Sequence, residues 1–338
     1  MSASVARRLA MITDTDGWRG QGRTPWPDAR HREWQHFVLF GPDWLLIFNL
    51  CLEPDGTGRI ITLHGAGGGG WCGHVATCAA PRLWPARIDA DFGCAGMRFR
   101  TDRYELWQHG DGVRLEASLV PASTPSLSHH IALGRGAGVS WCLIPRLFAS
   151  GWVDLGERRV HFDRVAAYHD HNWGSVGWGD DFSWDWGVAT PDDPDSPWTV
   201  VFTRMMDRAR HRTTATSLFL LEDGDHVRYL RNDQVRFETD GVFEPPAACR
   251  IPPAAALLAP DRDRDVPRRL AFTGVRGDDR VAGELEPTSR AQILIPADSD
   301  VRRVVRLNEV AARAHITGRH AGRAIGIEGT ALVETVRG

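Results

Sequence analysis

The sequence predicts an all-β protein of antiparallel strands arranged as a sandwich or barrel. Short apolar runs recur at intervals of about 8–12 residues, each bounded by Gly, Pro or Asp. No segment carries a sustained apolar stripe of helical period. A weak internal echo also suggests two related halves. Gly151 to Asp170 reads strand, Gly-Glu-Arg-Arg turn, strand, and Arg313 to Glu334 reads strand, Gly-Arg-His-Ala-Gly-Arg turn, strand. Two β units follow, with under about a tenth of the residues helical against the usual third.

In chain order, residues 1–30 are polar and broken by Pro25 and Pro27, which predicts an arm wrapping the domain. His36 to Phe40 and Trp44 to Leu50 flank Gly41-Pro42-Asp43, a hairpin pattern. Arg59 to Leu63, Met97 to Phe99, Tyr104 to Gln108, Val113 to Val120 and Ser140 to Ile144 continue the series. Gly151 to Phe162 is a strand, tight turn and strand. Trp198 to Arg204, Thr216 to Leu221, Val227 to Leu230 and Gln234 to Glu238 come next. The Pro- and Ala-rich stretch Pro245 to Pro260 and the charged run Asp261 to Arg269 read as a long connection. Arg268 to Thr273, Arg280 to Glu286, Ala291 to Ile295, Ala311 to Thr317 and Gly326 to Val336 complete a second unit. The expected organisation is an arm at 1–30, a first domain at 31–178 and a second at 179–338.

Polar chemistry is concentrated in Tyr168-His169-Asp170-His171-Asn172-Trp173-Gly174, followed by Trp178, Asp180, Asp181, Trp184, Asp185 and Trp186. On a strand, Tyr168, Asp170 and Asn172 share one face, and His169, His171 and Trp173 share the other. Each buried polar group costs about 1–3 kcal/mol when unpaired, so a run of them from Tyr168 to Trp173 points to a functional site rather than to a polar strand end. A carboxyl desolvated among indoles has its pKa raised and can serve as a proton donor near neutrality. Asp170 is the expected acid, with His171 or His169 tuning or relaying its proton and Tyr168 orienting a carbonyl or a water. Asn172, Trp173, Trp178, Trp184, Asp185 and Trp186 are the expected substrate contacts, the indoles stabilising positive charge by about 0.5–2 kcal/mol each.

Composition removes several classes. The chain has 338 residues and a net charge of −3, so no basic field invites nucleic acid or an anionic membrane surface. No apolar run is long enough to span a bilayer. All 40 basic residues are arginine, which excludes a Schiff-base lysine and a Walker A loop. Redox chemistry lacks a nucleotide fingerprint, and a serine triad lacks its Gly-x-Ser-x-Gly. The run His64 to Gly70 lacks the helix that a phosphate cradle needs and reads as a loop. Cys72, His74, Cys78 and Cys94 match no common zinc spacing, so no metal and no cofactor are expected. The 6 cysteines without an apolar leader imply reduced thiols and a cytoplasmic protein.

The motif at 168–174, behind a Gly-Arg-type hairpin and the strand Trp141-Cys142-Leu143-Ile144-Pro145, resembles that of the carotenoid 1,2-hydratase (hydroxyneurosporene synthase) and AttH-like proteins, relatives of fungal lipocalin-like Diels–Alderases. Glu33-Trp34-Gln35-His36-Phe37 is similar to that family's opening strand, and Gly329 to Glu334 to its closing one. The resemblance spans nearly the whole chain and is specific in the central motif. It implies two lipocalin-like β domains packed together and a cofactor-independent enzyme acting on an apolar terpenoid, carotenoid or polyketide-like intermediate. Acid-assisted hydration, isomerisation or cyclisation is the reaction class, of lyase or isomerase type. A pericyclase that folds its substrate and a non-catalytic carrier of an apolar ligand are the alternatives.

Overall fold

The computed structural model describes residues 3–20, 30–66, 70–84, 87–110, 112–134, 136–155, 158–180, 182–193, 195–223, 225–244, 249–253, 255 and 266–337. Asp181, residues 67–69 of the glycine run, the 156–157 turn and most of the 245–265 connection lie outside them. Strand accounts for 72% of the chain and helix for 6%, so the all-β class holds. The chain divides into two compact units, one of Met1–Gly41, Leu45–His64 and Cys72–Val176, the other of Pro42–Trp44, Gly65–Trp71 and Gly177–Gly338.

The first sheet is built from β1 (His31–Phe40), β2 (Trp44–Leu52), β3 (Gly58–Ala66), β4 (Trp71–Cys78), β5 (Arg82–Trp84), β6 (Asp89–Asp91), β7 (Ala95–Arg100), β8 (Arg103–Gly110), β9 (Val113–Pro121), β10 (Ser126–Gly134), β11 (Ala137–Leu155) and β12 (Arg158–Ser175). Its order is β4-β3-β2-β1-β12-β11-β9-β8-β7-β6-β5, with β10 on β11. β8 and β9 alternate buried and exposed side chains, as strands with one wet face do. β1 and β2 are buried on both faces, and the centre of β12 is likewise buried from Ala167 to His171. Polar side chains in these three strands therefore have no bulk solvent to satisfy them and must find partners in the protein.

The second sheet comprises β13 (Ser183–Pro191), β14 (Trp198–Met206), β15 (Thr213–Glu222), β16 (Asp225–Arg231), β17 (Val235–Asp240), β18 (Cys249–Ile251), β19 (Arg269–Arg276), β20 (Asp279–Ala297), β21 (Asp300–His320) and β22 (Arg323–Arg337). It runs β16-β15-β14-β13-β22-β21-β20-β19-β17, with β18 beside β20. In each sheet the first strand pairs with the last, β1 with β12 and β13 with β22, so the sequence echo is a shared topology. The core of the second unit is apolar, around Val200, Phe202, Leu218, Phe272, Leu285 and Ile316.

Within the stretch expected as an arm, residues 3–15 form a helix, α1 (Ala3–Thr15), and Ile12, Asp16 and Trp18 are completely buried. One expectation needs correction. Several runs expected as separate strands are single long ones. Ser140 to Ile144 and Gly151 to Leu155 both belong to β11, and the register slips between Ile144 and Leu147, around Pro145. Arg280 to Glu286 and Ala291 to Ile295 both belong to β20, which slips between Pro287 and Ser289. In both cases the proline lacks the N–H for a ladder bond and sits where a bulge excuses it, so the strand bends without ending.

Candidate active site

The centre of β12 lies between β1 and β11, and this register fixes its two faces. His36 pairs with Asp170, Phe37 with His169 and Gln35 with His171; from β11, Leu143 stands opposite Asp170 and Trp141 opposite Asn172. Gly174 ends the motif because a Cβ there would lie 2.1 Å from the Gly138 carbonyl oxygen of β11. Any other residue would force the strands apart.

On the first face Asp170 collects donors. The Tyr168 hydroxyl donates to Oδ2 at 2.8 Å, and the Asn172 amide donates to Oδ1 at 2.6 Å. The Trp141 indole N–H supplies a third hydrogen bond. Burial nevertheless dominates, and the Asp170 carboxyl is pushed up to about 6 against the lowering effect of Tyr168, His169, Trp141 and Asn172. Its register partner His36 is moved the other way, down to about 3, by burial and by the neighbouring His169. Its Nδ1 accepts from the Asn49 amide at 3.4 Å, which suits a neutral ring. The face thus holds an acid that can be protonated near neutrality, beside an imidazole that is not charged there.

The second face is a buried network. The Asp16 carboxylate accepts from the Tyr104 hydroxyl at 2.6 Å and lies 3.0 Å from His169 Nε2. His169 Nδ1–H donates to the His36 carbonyl at 3.0 Å, and its ring stacks on Phe37 at 4.0 Å between centroids. His171 is clamped between two carboxylates: Nδ1 is 3.2 Å from Asp16 Oδ1 and Nε2 is 2.8 Å from Glu33 Oε1. Glu33 also accepts the backbone N–H groups of Arg19 and Gly20, at 2.6 and 2.8 Å. Asp16, Glu33, His169, His171 and Tyr104 are all fully buried. Burial would raise the Asp16 and Glu33 carboxyls, but the histidines outweigh it, so Asp16 is held well below the usual range and Glu33 falls to about 2. For His171 burial acts to lower the value, and the two carboxylates outweigh it, raising it to about 9.

The expectation from the sequence is that His171 or His169 tunes or relays the Asp170 proton. His169 does lower the Asp170 carboxyl electrostatically, but both rings lie on the opposite side of the strand, and their hydrogen-bond partners are Asp16, Glu33 and the His36 carbonyl. Trp173 lies with them, 4.8 Å from the His171 ring and under the Arg19 guanidinium at 4.8 Å. Trp178, Trp184 and Trp186 belong to the second unit. There Trp184 stacks on Phe182 and donates its indole N–H to Glu334, and Trp178 lies 5.9 Å from it. Asp185 is not available to a substrate: Arg204 and Arg210 both bind its carboxylate, the latter at 2.6 and 2.7 Å. The residues that sequence reasoning missed are Trp141, His36, Asp16, Glu33 and Tyr104. Glu33 and Gln35, at alternate positions of β1, carried a readable signal of a polar face; Asp16 carried none.

Among the described residues no group of three or more His, Cys, Asp or Glu is arranged to hold a metal ion, and no helix is long and apolar enough to cross a membrane. No family model matches the sequence, and no curated protein matches it. Solved structures do. A putative AttH from Nitrosomonas europaea is similar with a TM-score of 0.64 at 15% identity, covering 93% of this chain and 94% of that one. The fold is the AttH-like one. Kievitone hydratase from Nectria haematococca shares it with a TM-score of 0.62 at 11% identity, covering 96% of this chain and 95% of that one. CghA with Sch210972 does so with a TM-score of 0.61 at 13% identity, covering 91% and 89%. In the first unit the pairing of the first strand with the last puts β1 on one side of Asp170, and the β11–β12 hairpin puts β11 on the other.

Proposed function

We propose that the protein is an enzyme that protonates an alkene or related electron-rich carbon of an apolar biosynthetic intermediate, leading to hydration, isomerisation or cyclisation. The observation that carries this reading is Asp170, a buried carboxyl raised to about 6 and held by Tyr168, Asn172 and Trp141. An acid whose pKa lies close to the working pH is both populated in its protonated form and willing to give the proton up. The three donors fix the carboxyl in one orientation and stabilise the carboxylate left after transfer. Tyr168 is placed to return the balance, because its hydroxyl can rotate to accept from a protonated Oδ2 and donate to an ionised one. A carrier of apolar ligands gains nothing from a desolvated carboxyl, which disfavours the binding-protein alternative.

The test is turnover in deuterated water with a panel of terpenoid, carotenoid and polyketide-like polyenes, read by mass spectrometry. Acid-assisted reaction is expected to place one solvent deuteron on carbon in the product, with added water if the cation is hydrated. A product without carbon-bound deuterium would overturn proton transfer and leave substrate folding, the pericyclic alternative. A second expectation concerns Trp141→Phe, which removes one donor to the carboxylate while keeping an aromatic ring. The Asp170 pKa should rise further, so the alkaline limb of the pH–rate profile should move to higher pH by about half a unit to one unit. An unmoved limb would mean that Asp170 does not set it.

A further inference from the structure

We propose that the substrate reacting at Asp170 carries a hydroxyl group at a distance from its alkene, and that Asn49 of β2 receives this hydroxyl on its side-chain oxygen. The inference rests on the reading of Asp170 as the acid. It narrows the substrate from any apolar intermediate to an oxygenated one, an alcohol or a phenol.

Register places Asn49 beside the acid. Asn49 stands opposite His36, and His36 stands opposite Asp170. Antiparallel partners project to the same side of a sheet, so the three side chains form one row across β2, β1 and β12. Trp34 and Asn172, opposite each other two residues along, extend the same face. Burial varies across it: His36 and Asp170 are 6% and 5% exposed, whereas Trp34, Asn49 and Asn172 are half-buried. A ligand therefore meets the face at these three residues. Two strand spacings, about 10 Å, separate Asn49 from Asp170, which a short carbon chain spans.

Hydrogen-bond accounting then selects the ligand chemistry. The Asn49 amide donates from Nδ2 to His36 Nδ1 at 3.4 Å, and among the described residues its Oδ1 accepts no hydrogen bond. Asn172 is committed in the same sense: Nδ2 donates to Asp170 Oδ1 at 2.6 Å, and its Oδ1 accepts none. Both half-buried amides are thus tied down by their donor ends, and the acceptor ends remain. A hydrocarbon covering them would take away their water and return nothing. A hydroxyl donates to such an oxygen, and an ether or a ketone does not. The Trp34 indole N–H and the second Asn49 amide hydrogen would serve any ligand oxygen, so preference for an alcohol over its ether isolates Oδ1. His36, neutral at working pH, is the positioning residue, because only an unprotonated Nδ1 accepts from the amide and keeps it in this orientation.

The probe is geraniol, which has a hydroxyl at one end and a trisubstituted alkene toward the other. Its methyl ether and the hydrocarbon lacking the oxygen are the comparisons. All three are titrated calorimetrically into the intact Asp170→Asn protein, which has no proton to transfer, and into the wild type. Geraniol is expected to bind at least about fivefold tighter than either comparison in both proteins, the yield of one ordinary hydrogen bond. Asn49→Leu should weaken geraniol by about fivefold or more and leave the methyl ether unchanged, so that the preference disappears. Asn49→Ala, which only removes atoms, decides the matter if Asn49→Leu does not fold. The proposal is overturned if none of the three binds, if the ether or the hydrocarbon binds as well as geraniol, or if a folded Asn49 variant keeps the preference. Deuterium on carbon without an alcohol preference would remove this proposal and leave the acid standing; the preference without deuterium would remove the acid alone.

Discussion

Asp170→Asn is expected to lower kcat by roughly 10²–10⁴ with little change in KM, while the protein melts no lower than wild type at pH 8. The activity half follows from removing the transferable proton while keeping shape. The stability half follows from the surroundings of the carboxyl. An Asn at this position can still accept from the Asn172 amide and from Trp141, and the Tyr168 hydroxyl can turn to accept from the new amide. What disappears is a desolvated charge. A folded-state value of about 6 against an ordinary 3.8 means that the fold binds this proton more tightly than the unfolded chain does. The wild type therefore loses about 3 kcal/mol as pH rises from below 4 through 6. The variant should escape that loss, so its melting advantage should grow across the same window. Melting curves at pH 4 and pH 8 check the sign independently of any substrate. A folded variant that turns over at a near wild-type rate would sink the assignment of Asp170 as the acid.

Reading from the sequence succeeded where period and register coincide. Alternation along 168–173 separated Tyr168, Asp170 and Asn172 from His169, His171 and Trp173, and the structure keeps that separation because β12 is a regular strand between two paired neighbours. The hairpin at Gly41-Pro42-Asp43 was legible from its turn residues, and the topological echo from two similar hairpins. Long strands were not legible, because Pro145 and Pro287 punctuate β11 and β20 and a local reading cannot tell a bulge from an end. Partners distant in sequence were not legible either. Asp16 is 153 residues from His169, and Glu33 is 138 from His171. Nothing local marks a carboxylate that will be buried against an imidazole across such a span. For the same reason the histidines were read as tuning or relaying the proton of the neighbouring Asp170, when their hydrogen-bond partners lie on the other face.

His171→Ala should be the most destabilising single change in the first unit, costing about 3–5 kcal/mol, because it leaves Asp16 and Glu33 as two buried carboxylates without the cation between them. The cost belongs to the orphaned charges rather than to the missing ring. Replacing the set together, with Asp16→Asn, Glu33→Gln and His171→Phe, should therefore recover much of the loss. The pH dependence follows from the same geometry. With His171 raised to about 9, its contribution is complete below the ordinary 6.5 and is lost as pH rises through 9. With Glu33 lowered to about 2, and Asp16 shifted in the same direction, the carboxylate contribution is complete above the ordinary 4.5 and is lost as pH falls toward 2. The network thus stabilises most between about pH 4.5 and 6.5. In the D170N background, where the opposing titration of Asp170 is absent, the melting temperature should peak in that interval and fall toward pH 9. Chemical denaturation of the single and triple variants provides the check. A His171→Ala protein within about 1 kcal/mol of wild type, or a melting temperature flat from pH 6 to 10, would show that the buried cation does not hold the two carboxylates.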